Sequence, residues 1–235
     1  MDIKLFYTKQ GNGPSLLLLH GNGEDGTYFV HQIKEFSRDF TVCAIDTRGH
    51  GKSPRGTAPF TISQFADDLL AFMDQQGLTQ ADILGFSDGG NIALTFALRH
   101  PDRVRRLILN GANLDPKGVK PLVQLSIVVG YHLASLFKSP KARAKAELLG
   151  LMVKEPHIAP AELQTLTMPV LVMAGTKDMM QDRHTRLIAA SIPNARLVLI
   201  PGDHFIANKE PTAFNRAVRT FFTETAPSAS KEESP

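Results

Sequence analysis

The sequence predicts an α/β domain: a mostly parallel central sheet with helices on both faces. Three observations carry that expectation. Short apolar runs alternate with longer helical patterns, each run is bounded by Gly, Pro, Asp or Asn, and each is too short for a buried helix. The runs are Ser15–His20, Thr41–Asp46, Ala81–Phe86, Arg106–Asn110, Val170–Gly175 and Arg196–Ile200. Ile3–Lys9 instead alternates and ends in Gly11-Asn12-Gly13-Pro14, which reads as an edge strand turning into the first central strand. That makes seven strands in all.

Helical patterns fill the gaps. Thr61–Gln76 ends at Gly77, Asn91–His100 stops before Pro101, Thr185–Ser191 stops before Pro193, and Pro211–Phe222 closes the fold. The gap between Asn110 and Val170 is too long for one crossover, and Leu122–Phe137 and Lys141–Lys154 within it are helical in pattern. Residues 114–167 therefore read as a small helical cap inserted into a single domain of residues 1–225. Lying at the ligand crevice, its side chains would set substrate shape. The polar, Ser- and Pro-rich residues 226–235 are expected to be disordered.

Composition narrows the function. With 235 residues, 43% hydrophobic and 21% charged, the chain suits one domain that buries about 70–75% of its unfolded surface. Cys43 is the only cysteine, which excludes an intramolecular disulfide and suits a reducing compartment. The start, Met1-Asp2-Ile3-Lys4, lacks the organisation of a secretory signal, so a cytoplasmic location is expected. A net charge of +3 with scattered basic residues offers no stripe for nucleic acid. The apolar segment Pro121–Phe137 is interrupted by Gln124, Ser126 and His132 and falls short of the ~20 residues of a spanning helix. It is expected to cover an apolar surface, without stable membrane insertion; contact with one face of a membrane is the alternative. No His, Cys and Asp cluster has metal-ligand spacing, and no cofactor is expected.

The strongest chemical signal is Gly85-Phe86-Ser87-Asp88-Gly89-Gly90, directly after a strand and directly before a helix. A serine on such a turn is raised at the carboxyl end of the sheet, and a side chain at Gly85 or Gly89 would strike the neighbouring helix or strand. The helix N-terminus behind Ser87 favours developing negative charge. A nucleophilic serine needs a base and a carboxylate to orient it. Two later strands run into Thr176-Lys177-Asp178 and Pro201-Gly202-Asp203-His204, on the same rim, which nominates Asp178 and His204. His184 competes as base, and Asp203 and Asp115 compete as acid. His20, His50 and His100 read as packing or loop-bonding residues, while His31, His132 and His157 have no evident partner. The sharp turn Leu19-His20-Gly21-Asn22-Gly23 would aim the Asn22 backbone N–H at an oxyanion, with the Asp88 N–H as second donor.

His20–Gly23, the run Asp46-Thr47-Arg48-Gly49-His50-Gly51-Lys52-Ser53, Gly85–Gly90, Asp178 and His204 together resemble the α/β-hydrolase superfamily, from about Ile3 to Phe222. The resemblance implies the α/β-hydrolase fold, with a mainly structural role for Arg48–Ser53. One strand of the usual eight is absent, and the cap is small. Ser87 stands where dehalogenase- and epoxide hydrolase-like members carry Asp, and Asp88 stands where perhydrolase-like members commonly have Met. G-x-S-D-G-G is similar to valacyclovir hydrolase-like α-amino-acid esterases and to small bacterial carboxylesterases. Asp88 thus has two competing tasks: pairing with a substrate ammonium, or starting the helix, where an acidic side chain suits the dipole. Glu24 and Asp25 add acidity to the same rim, though helix initiation explains them equally. The resulting expectation is a serine esterase acting on a small-molecule ester through an acyl-enzyme. A ligand-sensing protein on the same fold, and a carbon–carbon bond or thioester hydrolase using the same residues, are the alternatives.

Overall fold

The computed structural model describes residues 2–226, so the tail expected to be disordered lies, Ala226 apart, outside the described residues. Seven strands form one sheet: β1 (Tyr7–Gln10), β2 (Ser15–Leu19), β3 (Thr41–Ile45), β4 (Ala81–Phe86), β5 (Val104–Asn110), β6 (Val170–Gly175) and β7 (Ala195–Ile200). Their spatial order is β1-β3-β2-β4-β5-β6-β7, and every pairing is parallel except β1 with β3. This is the α/β-hydrolase arrangement, with seven strands as the sequence predicts. The edge strand departs in two respects. It starts at Tyr7 rather than Ile3, because the Phe6 N–H is taken by Ser53 Oγ at 2.8 Å. It also pairs with β3 across the sheet edge (Tyr7 opposite Ile45) rather than with the strand that follows it.

The helices are α1 (Val30–Phe36), α2 (Ile62–Gln75), α3 (Asp88–Arg99), α4 (Pro121–Ser135), α5 (Pro140–Lys154), α6 (Asp182–Ser191), α7 (Ile206–Lys209) and α8 (Pro211–Glu224). Local chemistry sets several of their ends. Thr61 caps α2 by accepting the Gln64 N–H at 3.1 Å, and Pro101 keeps α3 from running on. The five inner strands, β2 to β6, are buried on both faces, so their residues alternate between two cores, while the edge strands β1 and β7 are partly exposed. Leu17, Leu19, Ile83 and Leu107 pack with α2, α3 and α6; Leu16, Leu18, Leu84 and Ile108 pack with α1 and α8 through Phe36, Phe214 and Phe221. Helix α1 carries no sequence pattern strong enough to announce it; seven residues long, it is held by Phe36 in the core.

Between β5 and β6, α4 and α5 pack on each other as the expected cap. The end of that inserted stretch is core rather than cap, since Leu163 and Leu166 are fully buried against the sheet layer. The Asp46–Ser53 turn is a structural knot, as the resemblance implies. Asp46 accepts the Gly26 and Lys52 N–H groups at 2.8 Å each, and Ser53 Oγ donates to the Asp46 carbonyl at 2.7 Å. Arg48, fully buried, makes a bidentate pair with Asp68 at 2.7 Å through both nitrogens and reaches Asp2. Removing one member of such a buried pair costs about 3–5 kcal/mol.

Candidate active site

Ser87 sits between β4 and α3 with φ 52° and ψ −120°, and it is the one non-glycine residue with positive φ among the described residues. Holding a residue there costs about 1–3 kcal/mol, which the surroundings must offset. They do so by close packing. A Cβ on Gly85 would lie 2.3 Å from the Gly89 carbonyl oxygen, and one on Gly89 would lie 2.1 Å from the Leu19 carbonyl oxygen. Only glycine lets α3 approach β4 and β2 this closely, and the Ser87 N–H continues the ladder to the Asn110 carbonyl at 2.8 Å.

His204 Nδ1 bonds Asp178 Oδ1 at 2.7 Å, joining the loops after β7 and β6. Asp178 is itself held by backbone, with Oδ1 accepting the Met180 N–H at 2.9 Å and Oδ2 the Gly175 N–H at 3.3 Å. Because the carboxylate accepts, Nδ1 carries the proton, and Nε2 is left as the basic atom; it has no hydrogen-bond partner among the described residues. The Phe86 ring packs on His204 with centroids 4.8 Å apart, so the residue before Ser87 seats the imidazole. Gly111, φ 64°, borders the same ring: a Cβ there would lie 2.6 Å from His204 Cε1 and 2.9 Å from Nδ1. Sequence reasoning passed over Gly111, although the Asn-Gly pair ending β5 is a signal for a left-handed residue.

The competing acids and base find other work. Asp115 bonds His157 at 2.9 Å, Asp203 pairs with Lys209 and accepts the Phe205 N–H, and His184 Nε2 accepts the Leu114 N–H at 3.0 Å. His20 behaves as a loop-bonding residue, tying Gly21 to Thr47. Asp25 caps the short turn Gly26–Phe29 through the Thr27 N–H, whereas Glu24 folds back onto the Gly21 N–H at 3.3 Å. Burial pushes the Glu24 carboxyl up to about 7, beside the loop that carries Asn22.

Asn22 and Asp88 meet through their side chains as well as by position. Asn22 Nδ2 donates to Asp88 Oδ2 and to the Leu148 carbonyl of α5, each at 2.8 Å. Asp88 Oδ1 accepts from Asn91, which in turn bonds Asn113 at 3.0 Å. The Asp88 carboxyl is 7% exposed, and burial raises its pKa above the ordinary range. As the first residue of α3, Asp88 has a backbone N–H with no intrahelical acceptor, free for a ligand atom. Ser87 and His204 are only 7% and 4% exposed, and α5 is tied to the site through Leu148. The carboxamide ties of Asn22, 66 and 126 residues distant, left no trace in the sequence.

A strained serine at a strand–helix turn and a carboxylate-bonded histidine, both after the carboxyl ends of strands in this sheet, are the arrangement a hydrolase would use. Comparison with known proteins agrees. A family model described as the alpha/beta hydrolase fold matches residues 14–133, and the chain belongs to that family. "Putative carbamate hydrolase RutD" of Caulobacter sp. (strain K31) is 31% identical over 242 residues, which cover 89% of this chain and 90% of that protein. "3-oxoadipate enol-lactonase 2" of Acinetobacter baylyi is 26% identical, with 92% of each chain covered. Among solved structures, the enol-lactonase from Burkholderia xenovorans LB400 superposes with a TM-score of 0.80 at 25% identity, covering 94% of this chain and 97% of that one. The chain is an α/β-family hydrolase. No described helix is long and apolar enough to cross a membrane.

Proposed function

We propose that the chain is a serine hydrolase of the carboxylesterase type, cleaving small carboxylic esters through an acyl-enzyme. Ser87 Oγ attacks the acyl carbon while His204 Nε2 takes its proton and passes it to the leaving alcohol. Asp178 keeps the imidazole in the Nδ1–H tautomer and stabilises its cationic form. The backbone N–H groups of Asn22 and Asp88 hold the oxyanion, each such donor contributing about 3–4 kcal/mol of transition-state stabilisation. Water then attacks the acyl-enzyme by the same route, His204 accepting its proton and Ser87 leaving. No metal or cofactor takes part in this sequence.

The observation that carries this reading is the His204–Asp178 bond at 2.7 Å, with Nε2 unpartnered on the rim where Ser87 is held in a strained conformation. The relatives support attack at an acyl carbon: a carbamate carbonyl carbon carries an oxygen and a nitrogen, and an enol-lactone carbonyl carbon carries an ester oxygen. For Asp88, the backbone N–H is the oxyanion donor, and the carboxylate, engaged by Asn22 and Asn91, braces the oxyanion loop. Reading of a substrate ammonium by that carboxylate is the competing task. Ser87→Ala should lower kcat on a short-chain ester by ~10⁴–10⁶ without changing the circular dichroism. Retention of most turnover overturns the assignment.

A further inference from the structure

The outer face of α4 has no counterpart in the hydrolase chemistry. Leu122, Leu125, Val129, Leu133, Leu136 and Phe137 are 84%, 60%, 48%, 55%, 74% and 64% exposed. Along a helix and its last turn their spacing confines them to one stripe about 120° wide. The opposite side is apolar too, with Ile127 and Ala134 packed inward. The expectation that this segment covers an apolar surface therefore holds for its inner face alone. Single exposed apolar residues are ordinary, but six large ones grouped along one side of α4 and the two residues after it mark a contact surface.

Charge identifies what the surface contacts. Acidic residues are sparse along α4 and α5, although Asp115, Glu155 and Glu162 at their flanks bring the whole inserted stretch 114–167 to +3. Between Pro116 and Lys154 stand seven Lys and Arg against Glu147 alone, a net of +6 in a chain whose whole net is +3, so the remainder is −3. Lys117 and Lys120 precede the stripe, Lys138 and Lys141 follow it, and all four are exposed. A second copy of the chain would bring two 116–154 stretches of net +6 face to face across the stripe, which repulsion disfavours. The C-terminal residues outside the described structure, PSASKEESP, contain no Leu, Ile, Val or aromatic side chain with which to cover it. An apolar stripe with lysines at both ends matches the boundary of an anionic lipid layer, where apolar side chains enter and ammonium groups stay at the headgroups.

We propose that the cap docks the enzyme reversibly on anionic lipid surfaces, with α4 lying flat in the interface. No part of the chain spans the layer in this arrangement. Docking is independent of the ester-cleavage reading and is measured without any substrate. The native protein is floated with phosphatidylcholine vesicles and with vesicles that also contain phosphatidylglycerol, at about 0.15 M salt. The partition coefficient should be about tenfold or more higher on the anionic vesicles and should fall as salt is raised. Leu122→Ser/Leu125→Ser/Leu133→Ser should abolish flotation, and Lys138→Glu/Lys141→Glu should remove the preference for phosphatidylglycerol. All five positions are exposed and lie outside the proposed catalytic residues, so circular dichroism and turnover of a water-soluble ester should match the native protein. Equal, weak flotation on both vesicle types overturns the proposal. So does anionic binding that survives the leucine substitutions, or a sedimentation dimer that those substitutions dissolve in a protein that does not float.

Discussion

Acidification should destabilise this fold through His20 before it protonates the native structure. His20 is 1% exposed, and its Nε2 accepts the Thr47 N–H at 3.0 Å. Nδ1 must therefore carry the proton, which it donates to the Gly21 carbonyl at 2.8 Å. A second proton would have to go on Nε2, against the Thr47 N–H. Burial, the dominant cause, lowers the pKa from 6.5 to about 4, with the bond to Gly21 opposing it and His50 adding to it. The unfolded chain takes up a proton as pH falls through 6.5, while the folded chain does not until about 4. Stability is thus fully present above 6.5 and is lost as pH falls through that window. The loss is about 2 kcal/mol at pH 5 and approaches about 3 kcal/mol near pH 4. Urea unfolding of the native and His20→Gln proteins at about pH 7.5 and about pH 5 isolates this contribution, because glutamine does not titrate. The stability advantage of the native protein should shrink by about 2 kcal/mol between the two conditions. An advantage that stays constant or grows on acidification would refute the buried neutral tautomer. The same neutral ring ties Gly21, next to the proposed oxyanion donor Asn22, to Thr47 of the Asp46–Ser53 knot, so activity should fail along with stability.

Two further perturbations address the site. Gly111→Ala places a Cβ against His204 at a positive φ; the displaced imidazole should lower kcat by about 100-fold, with KM for a small ester changed far less. A native kcat in that variant would show that His204 tolerates displacement. Matched esters with and without a free α-amino group should differ by less than tenfold in kcat/KM, because the Asp88 carboxylate is engaged by Asn22 and Asn91. A preference of tenfold or more for the amino ester would instead make Asp88 a substrate carboxylate.

What the sequence made legible was local. Each central strand is a short run buried on both faces, so composition alone marked it, and Ser15–Leu19, Ala81–Phe86 and Val170–Gly175 were readable almost to the residue. The turn around Ser87 was readable because its glycines answer backbone contacts that a Cβ would violate. Asp178 and His204, nominated from their places after strand ends, do bond each other at 2.7 Å. The pairing of β1 with β3 was not readable, since register across an edge depends on which N–H groups distant side chains such as Ser53 have already taken. Nor was the network from Asn22 through Asp88 to Asn91 and Asn113, which tertiary packing alone assembles. Periodicity showed α4 to be apolar, yet a helix apolar on all sides gives no sign of which side the protein covers.

The central claim is that Ser87 is a nucleophile activated by His204. Its most direct test is reaction of the native protein with a fluorophosphonate, followed by peptide mapping. The reagent phosphonylates the activated hydroxyl with loss of fluoride, so one adduct on Ser87 should form, and His204→Ala should slow its formation by orders of magnitude. An unmodified Ser87 in the folded native protein, or an adduct formed equally fast without His204, would contradict the account and favour a binding protein on a hydrolase fold.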